Sequence, residues 1–273
     1  MFFEYNILWN YSPYVFTSDL ISLRFYSLFF ALGLFFVYFK VRKDLSNHVD
    51  GATIEEIIFP SIIFMLIFSR MFHCIFYEFS YYSNNIIEIF LPIRLNPFEF
   101  TGYQGLSSHG GFIGFLVSYF VASNKKIKFN DSLRLLDTIF YYSLIFISLI
   151  RIGNLFNSEI LGKACNQGMC LTFVLYDSIP RYPVQLYESI SYLSIFILLG
   201  FAKDMIQRVP GRLLLIIVSM VAFLRFLLEF MKDTQSDIIL PYLNMGQMLT
   251  IPIFIISLFL LYVLNNKKIR NLS

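Results

Sequence analysis

Charged residues are scarce in this sequence. Lys, Arg, Asp and Glu make up 14% of the 273 residues, whereas hydrophobic residues make up 57% and the mean hydropathy is +0.66. Soluble domains average about 25% charged residues. The composition therefore excludes an ordinary soluble protein and indicates a polytopic membrane protein. The net charge of +3 gives no support for a nucleic-acid partner.

Histidine and cysteine are also few, with three of each. Their spacing matches no metal-binding motif, so we expect neither a metal nor another cofactor. The first twenty residues contain Glu4 and Asp19 but no Lys, no Arg and no small-residue cleavage site, so we expect no cleavable signal sequence. Because repeats and flexible linkers are absent from the sequence, we expect a single transmembrane domain over residues 1–273.

Seven apolar runs have the composition of helices that cross about 30 Å of hydrocarbon, although the third run is short. We predict them at residues 20–38, 57–77, 109–122, 133–152, 184–202, 213–230 and 248–264. The loops after the first, third, fifth and seventh runs hold most of the Lys and Arg, which places those loops in the cytoplasm. The sequence therefore predicts an all-α protein with seven transmembrane helices, an outer N-terminus and a cytoplasmic C-terminus.

Two of the predicted outer segments are long. The first includes a predicted interfacial helix at Ile86–Leu95, and the second includes an extended stretch at Leu171–Tyr176. Cys165 and Cys170 also lie in the second segment. On an oxidising outer side they can form a disulfide, but four intervening residues fit two free thiols equally well.

The predicted topology gathers polar side chains from six or seven helices into one layer at the outer leaflet. The layer contains Arg24, Tyr26, Arg70, His73, Ser107, Ser108, His109, Arg151, Asn154, Gln185, Tyr187, Glu188, Arg225, Glu229, Gly246 and Gln247. Ionisable groups at membrane depth cost ~3 kcal/mol each, so this convergence indicates a functional site.

The chemistry of this layer favours an anionic phospholipid headgroup as the ligand. Its four arginines outnumber the nearby carboxylates, and a guanidinium grips a phosphate with a planar pair of donors. His109 is placed among these groups and can serve as general base. Arg225 and Glu229 stand four residues apart on one helix, and their predicted pairing either holds the arginine for a ligand or is a structural salt bridge.

The densest polar stretch is Arg151-Ile-Gly-Asn-Leu-Phe-Asn-Ser-Glu-Ile-Leu-Gly162. If the preceding helix continues, Arg151 and Asn154 share one face. Four other polar motifs are Leu23–Tyr26, Ser108–Gly114, Arg181–Glu188, and Arg225–Glu229 followed by Met245–Gln247. In this order, and with Arg151–Gly162 as the signature stretch, the motifs resemble those of the prolipoprotein diacylglyceryl transferase family. Departures from the family pattern are Tyr182, Val184 and Val221.

The resemblance implies a seven-helix enzyme of the bacterial inner membrane with an outward-facing site and a small extracytoplasmic head. Such enzymes move the diacylglyceryl group of phosphatidylglycerol onto the thiol of a lipobox cysteine in a preprolipoprotein, and glycerol phosphate leaves. Carried over by motif, the catalytic residues are His109, Arg151 and Arg225. The substrate-binding residues are Tyr26, Asn154, Glu159, Gly162, Glu229 and Gln247.

Two other classes of function remain open from the residues alone. A small transporter or channel would carry polar residues through the full membrane depth, often with an internal repeat, whereas here the polar residues stop halfway. A non-catalytic protein that binds anionic lipid would share the arginine cluster but would not need a placed imidazole. Transfer of label from phosphatidylglycerol to a lipobox peptide separates both from an enzyme.

Overall fold

Helices dominate the computed structural model, which describes residues 5–17, 22–46, 48–91, 93–95, 99–100, 105–233 and 243–270. The described helices are α1 Phe25–Leu45, α2 Gly51–Phe76, α3 Phe79–Tyr82, α4 Ile87–Phe90, α5 Ser108–Ser123, α6 Phe129–Phe156, α7 Val184–Gly200, α8 Lys203–Ile206, α9 Arg212–Leu228, a 3-10 turn Glu229–Met231, and α10 Met245–Arg270. The described strands are β1 Tyr5–Trp9, β2 Tyr14–Thr17, β3 Ser22–Arg24, β4 Ile93–Arg94, β5 Glu99–Phe100, β6 Met169–Phe173 and β7 Pro180–Arg181.

Five helices in the described part of the chain are long and apolar enough to cross a membrane, which confirms a polytopic membrane protein. They are α1, α2, α6, α9 with the 3-10 turn, and α10. Helix α7 is apolar but has 17 residues, and α5 has 16. The prediction that these two also cross the membrane, which gives a total of seven, stays a prediction, as does the orientation.

Two predicted boundaries are wrong. The first apolar run was predicted from residue 20, but Ser22–Arg24 pairs with β2 as a hairpin strand and α1 begins at Phe25; residues 20 and 21 lie outside the described part. The interfacial helix predicted at Ile86–Leu95 is only one turn long in the structure, Ile87–Phe90. Leu91 is extended there, with ψ of 141°, because a residue that precedes a proline is disfavoured in helical conformation.

Helix α6 continues one turn beyond the predicted end at residue 152. Arg151 and Asn154 therefore both lie on α6, on one face, as the sequence predicts. Glycines let α6 approach α1 closely, because a Cβ at Gly153 would stand 2.9 Å from the Cα of Tyr26. This contact sets Tyr26 beside the turn of α6 that carries Arg151.

A buried carboxylate fixes the start of α9. Asp137 on α6 is fully buried and accepts hydrogen bonds from the backbone N–H groups of Gly211 at 2.8 Å and Leu214 at 2.7 Å. The first N–H groups of a helix have no partner within it, so Asp137 supplies the cap from a neighbouring helix. Gly211 adopts a left-handed φ of 83°, which suits glycine at this turn.

A small sheet with strand order β1-β6-β7 covers the end of α6. Strand β1 runs parallel to β6, and β7 pairs antiparallel with it. Leu155 and Leu161 pack with Leu171 and Phe173 of β6 beneath this sheet, and Trp9 packs against them. A disulfide joins Cys165 to Cys170, the second residue of β6, which settles the alternative that their spacing left open. The extended stretch predicted at Leu171–Tyr176 is confirmed only over its first half: β6 begins two residues earlier and ends at Phe173, and residues 174–176 form a turn.

The chain forms two compact units, so the prediction of a single domain stays a prediction. The first unit comprises Met1–Asp44, Arg134–Thr234 and Ile251–Ser273, and the second comprises Leu45–Leu133 and Gln235–Thr250. In the second unit α2 and α5 pack closely because glycines face α2. A Cβ at Gly114 would stand 2.5 Å from the carbonyl oxygen of Phe64.

Candidate functional site

Arg151 is the centre of a buried polar cluster in the first unit. Its Nε lies 2.9 Å from Oε2 of Glu188 on α7, and its Nη1 donates to Oδ1 of Asn154 at 3.0 Å. The Arg151 side chain is 8% exposed and that of Glu188 is wholly buried. A buried ion pair with hydrogen bonds to its remaining donors is the arrangement in which a guanidinium tolerates burial. Its orientation is therefore set by two neighbouring groups.

The backbone turns sharply after α6 and brings Glu159 back to the cluster. Ser158 and Ile160 adopt left-handed φ values of 52° and 56°, which cost non-glycine residues about 1–3 kcal/mol each and occur most often at functional sites. Through this turn the amides of Asn154 and Asn157 donate to the Glu159 carboxylate at 3.1 and 3.2 Å. Gln185 Nε2 donates to the Glu159 carbonyl oxygen at 2.6 Å.

Lys232 is a member of the cluster that the sequence analysis missed. It follows the 3-10 turn, and its buried Nζ lies 3.0 Å from Oε1 of Glu188 and donates to Oε2 of Glu229 at 2.8 Å. The available signal was its spacing of three residues from Glu229 at a helix end. Lys232 lies beyond the end of the sixth predicted apolar run, at residues 213–230, so the apolar pattern does not place it in the membrane layer.

Two further predicted residues lie within electrostatic range of this cluster. Arg225 on α9 interacts electrostatically with Glu188. Tyr26 on α1 interacts electrostatically with Arg151 and Glu159. The predicted pairing of Arg225 with Glu229 stays a prediction, since the contact described for the Glu229 carboxylate is with Lys232.

The described charged side chains around Arg151 are equal in number by sign, and the excess of guanidinium predicted for the whole outer layer, which includes Arg24 and Arg70, stays a prediction. Among the described side chains, Arg151, Arg225 and Lys232 face Glu159, Glu188 and Glu229. The reason is physical, because ions removed from water must be paired.

Gly162 lets the backbone of Tyr182 come close. A Cβ at this position would collide with the carbonyl oxygen of Tyr182 and stand 3.0 Å from its carbonyl carbon. The Gly162 carbonyl oxygen accepts a hydrogen bond from Nη1 of Arg181 at 3.0 Å. Arg181 also binds Asp177, with Nη2 to Oδ2 at 2.6 Å, and this hydrogen bond lowers the pKa of the Asp177 carboxyl. The stretch Arg151–Gly162 therefore ends at a glycine whose position is fixed by backbone contacts and by the Arg181–Asp177 salt bridge nearby.

His109 lies in the second unit, near the start of α5, and is buried. Its Nε2 is 3.0 Å from Oγ1 of Thr250, whose hydroxyl donates to the carbonyl oxygen of Gly246 at 2.6 Å. Because the Thr250 hydroxyl donates to Gly246, we infer the tautomer of a neutral imidazole that carries its hydrogen on Nε2 and donates it to Oγ1. Nδ1 is then the ring nitrogen that accepts a proton.

Gln247 and Arg70 also lie in the second unit. Gln247 exchanges hydrogen bonds with Asn244 at the start of α10, where each side chain accepts from the backbone N–H of the other, at 2.9 and 3.1 Å. Arg70 donates to the Tyr82 hydroxyl at 2.9 Å and to the carbonyl oxygens of Glu88 and Ile89 at 3.1 and 3.3 Å. These contacts make Arg70 an anchor of the segment after α2.

Among the described residues, no group of three or more His, Cys, Asp and Glu is arranged to hold a metal ion. The Arg151 guanidinium, which Glu188 and Asn154 orient, is a group that can bind an anion. The imidazole of His109 adds a group that can accept a proton in the second unit.

Comparison with known proteins assigns the chain to a family. The family model of the prolipoprotein diacylglyceryl transferases matches residues 13–263. A phosphatidylglycerol–prolipoprotein diacylglyceryl transferase of Bacteroides fragilis is 35% identical over 271 residues, which cover 96% of this chain and 97% of that protein. An enzyme of the same name from Chloroherpeton thalassium is 36% identical over 262 residues, with 94% and 93% covered. The chain belongs to the prolipoprotein diacylglyceryl transferase family.

Proposed function

We propose that this protein transfers the diacylglyceryl group of phosphatidylglycerol to the thiol of a lipobox cysteine in a bacterial prolipoprotein. The observation that carries the proposal is the buried Arg151, held between Glu188 and Asn154 inside the family's signature stretch. The names of the relatives support it, since they specify phosphatidylglycerol and prolipoprotein. In the reaction a carbon–sulfur bond forms and the bond between the glycerol carbon and the phosphate oxygen breaks. Glycerol phosphate departs with the electron pair.

Arg151 and Arg225 hold the phosphodiester and stabilise the charge of the departing phosphate. Stabilisation of developing charge by preorganised donors is a large term in enzyme catalysis. The contacts of Arg151 with Glu188 and Asn154 preorganise its guanidinium before substrate binds. Asn154 and Glu159 keep this orientation, and with Tyr26, Gly162, Glu229 and Gln247 they form the proposed substrate-binding set.

His109 takes the proton of the acceptor thiol. The thiolate and not the thiol is the useful nucleophile, so a base is needed near neutral pH. Donation from Nε2 to Thr250 leaves Nδ1 as the basic nitrogen, and the buried position of His109 fixes the ring.

The protein works in the bacterial inner membrane, with its site toward the outer leaflet. The basic loops after the first, third, fifth and seventh apolar runs support a cytoplasmic C-terminus and an outer N-terminus. The Cys165–Cys170 disulfide suits the oxidising outer side, where the β1-β6-β7 sheet forms the proposed head. A single cysteine introduced at Lys126 tests this topology. If a reagent labels that cysteine from outside intact cells, the orientation of the protein is the opposite of the one proposed.

The decisive experiment uses two labels on the donor lipid. The protein, in membranes, is mixed with a lipobox peptide and phosphatidylglycerol labelled either in its acyl chains or in its terminal glycerol. A transferase moves the acyl label onto the peptide and releases the glycerol label as water-soluble glycerol phosphate. A peptide with serine in place of the cysteine is the control and should gain no label. Retention of both labels in the lipid would favour a transporter or a non-catalytic lipid-binding protein.

A further inference from the structure

Lys232 is a buried cation that is linked to Arg151 through one side chain, that of Glu188. Its side chain is 2% exposed, and its Nζ contacts one oxygen each of Glu188 and Glu229, at 3.0 and 2.8 Å. The other oxygen of Glu188 lies 2.9 Å from Nε of Arg151. The Glu188 carboxylate therefore bridges the two cations, one on each oxygen.

This bridge fixes the plane of the Glu188 carboxylate. A carboxylate held at one oxygen can still rotate about its last torsion, because that torsion is broad. A cation at each oxygen removes this freedom. The orientation of Arg151 at its Nε thus depends on a contact made by Lys232, which comes from the end of a different helix.

The backbone around Lys232 is tied to the end of the signature stretch. Lys232 forms a β-bridge with Gly162, Lys163 N donates to the Met231 carbonyl at 2.8 Å, and Asp233 N donates to the Leu161 carbonyl at 3.0 Å. The position of the Lys232 ammonium is therefore set by the main chain on both sides and by two carboxylates.

We propose that Lys232 is a positioning residue for diacylglyceryl transfer, which acts by holding Glu188 so that Glu188 orients the guanidinium of Arg151. This inference rests on the proposed function. Lys232 does not contact the substrate in this scheme. The charged groups that face the Lys232–Glu188 pair are Arg151 from α6, Arg225 from α9 and Glu229 from the 3-10 turn.

The test is a double-variant cycle in the full-length chain, with Lys232→Met, Glu188→Gln and the two combined. Each variant is assayed with phosphatidylglycerol and a lipobox peptide at matched amounts of folded protein. A small misplacement of a group that binds the reacting centre costs about 10²-fold, so Lys232→Met should lower kcat by about that factor and change KM for the lipid far less. Adding Glu188→Gln should lower kcat little further, because both changes break the same chain of contacts.

Two variants separate positioning from general loss of charge or stability. Lys232→Arg keeps a cation able to bridge two carboxylates and should recover most of the activity. Lys163→Met removes an exposed lysine beside Gly162 and should behave as the parent. If Lys232→Met does not fold, the same cycle is run with Lys232→Gln, which removes the charge and is too short to bridge both carboxylates, and the same loss of kcat is expected.

Three outcomes would overturn the inference. A kcat for Lys232→Met within a few-fold of the parent removes the positioning role. Losses that multiply in the combined variant show that Lys232 acts independently of Glu188. A loss for Lys163→Met as large as that for Lys232→Met assigns the effect to charge in general. If the unsubstituted protein transfers no label, the proposed function fails, and that result is distinct from all three.

Discussion

Arg151 and Glu188 meet across 2.9 Å, from Nε to Oε2, with both side chains buried. Since Nη1 of Arg151 also donates to Asn154, the guanidinium is held at two of its three nitrogens. A lysine in this place has one nitrogen and cannot reach both partners while also facing a ligand with a planar pair of donors.

We therefore expect Arg151→Lys to be nearly as inactive as Arg151→Ala. The measurement is diacylglyceryl transfer to a lipobox peptide at matched amounts of folded membrane protein. Arg208→Lys, at an exposed arginine before α9, is the matched control and should keep the parent's rate. Retention of more than half of the activity by Arg151→Lys would show that charge suffices, and the phosphate contact would then be assigned to Arg225.

His109→Gln should lower the rate of transfer by about 10²–10⁴-fold, the usual span for loss of a general base. The glutamine amide can still donate to Thr250, so the protein should fold and bind lipid. His48→Gln changes an exposed histidine and serves as the control. Transfer by the His109 variant at close to the parent's rate would remove His109 from the mechanism and leave thiol activation to the cationic groups.

The membrane class and most of the helices could be predicted because apolar length and basic loops are local properties of a sequence. The signature stretch could be found because its polar residues stand close together in the chain. The partners of Arg151 could not be predicted in the same way. Glu188 and Lys232 come from other helices, and only the tertiary structure places their side chains around one guanidinium.

The role of one buried acid was hidden for a similar reason. Asp137 looks like an isolated acid near the inner end of α6, although it caps the start of α9. The backbone groups that explain it, at Gly211 and Leu214, lie far away along the chain.

Loss of the Asp137 cap should destabilise the protein without changing its chemistry. Asp137→Ala leaves the N–H groups of Gly211 and Leu214 buried without this acceptor, which costs about 2 kcal/mol and lowers Tm by roughly 5 °C. Asp137→Asn keeps one acceptor and should lose less. Thermal unfolding in detergent by circular dichroism measures both, with the exposed Asp204→Asn as control. Equal Tm values for Asp137→Ala and the parent would show that water or another group replaces the cap.

Gly162 and Gly168 allow the cost of a close contact to be separated from the cost of backbone conformation. Gly168 has a left-handed φ of 85°, but a Cβ there meets nothing within 4 Å, so Gly168→Ala should cost about 1 kcal/mol. At Gly162 the Cβ collides with the Tyr182 backbone, which cannot rotate aside as a side chain can, and Gly162→Ala should cost about 3 kcal/mol. Because the Gly162 backbone also bridges Lys232, the variant should lose transfer activity at temperatures where it is still folded. Limited proteolysis and the transfer assay on both variants check this order, and a Gly168→Ala variant less stable than Gly162→Ala would contradict it.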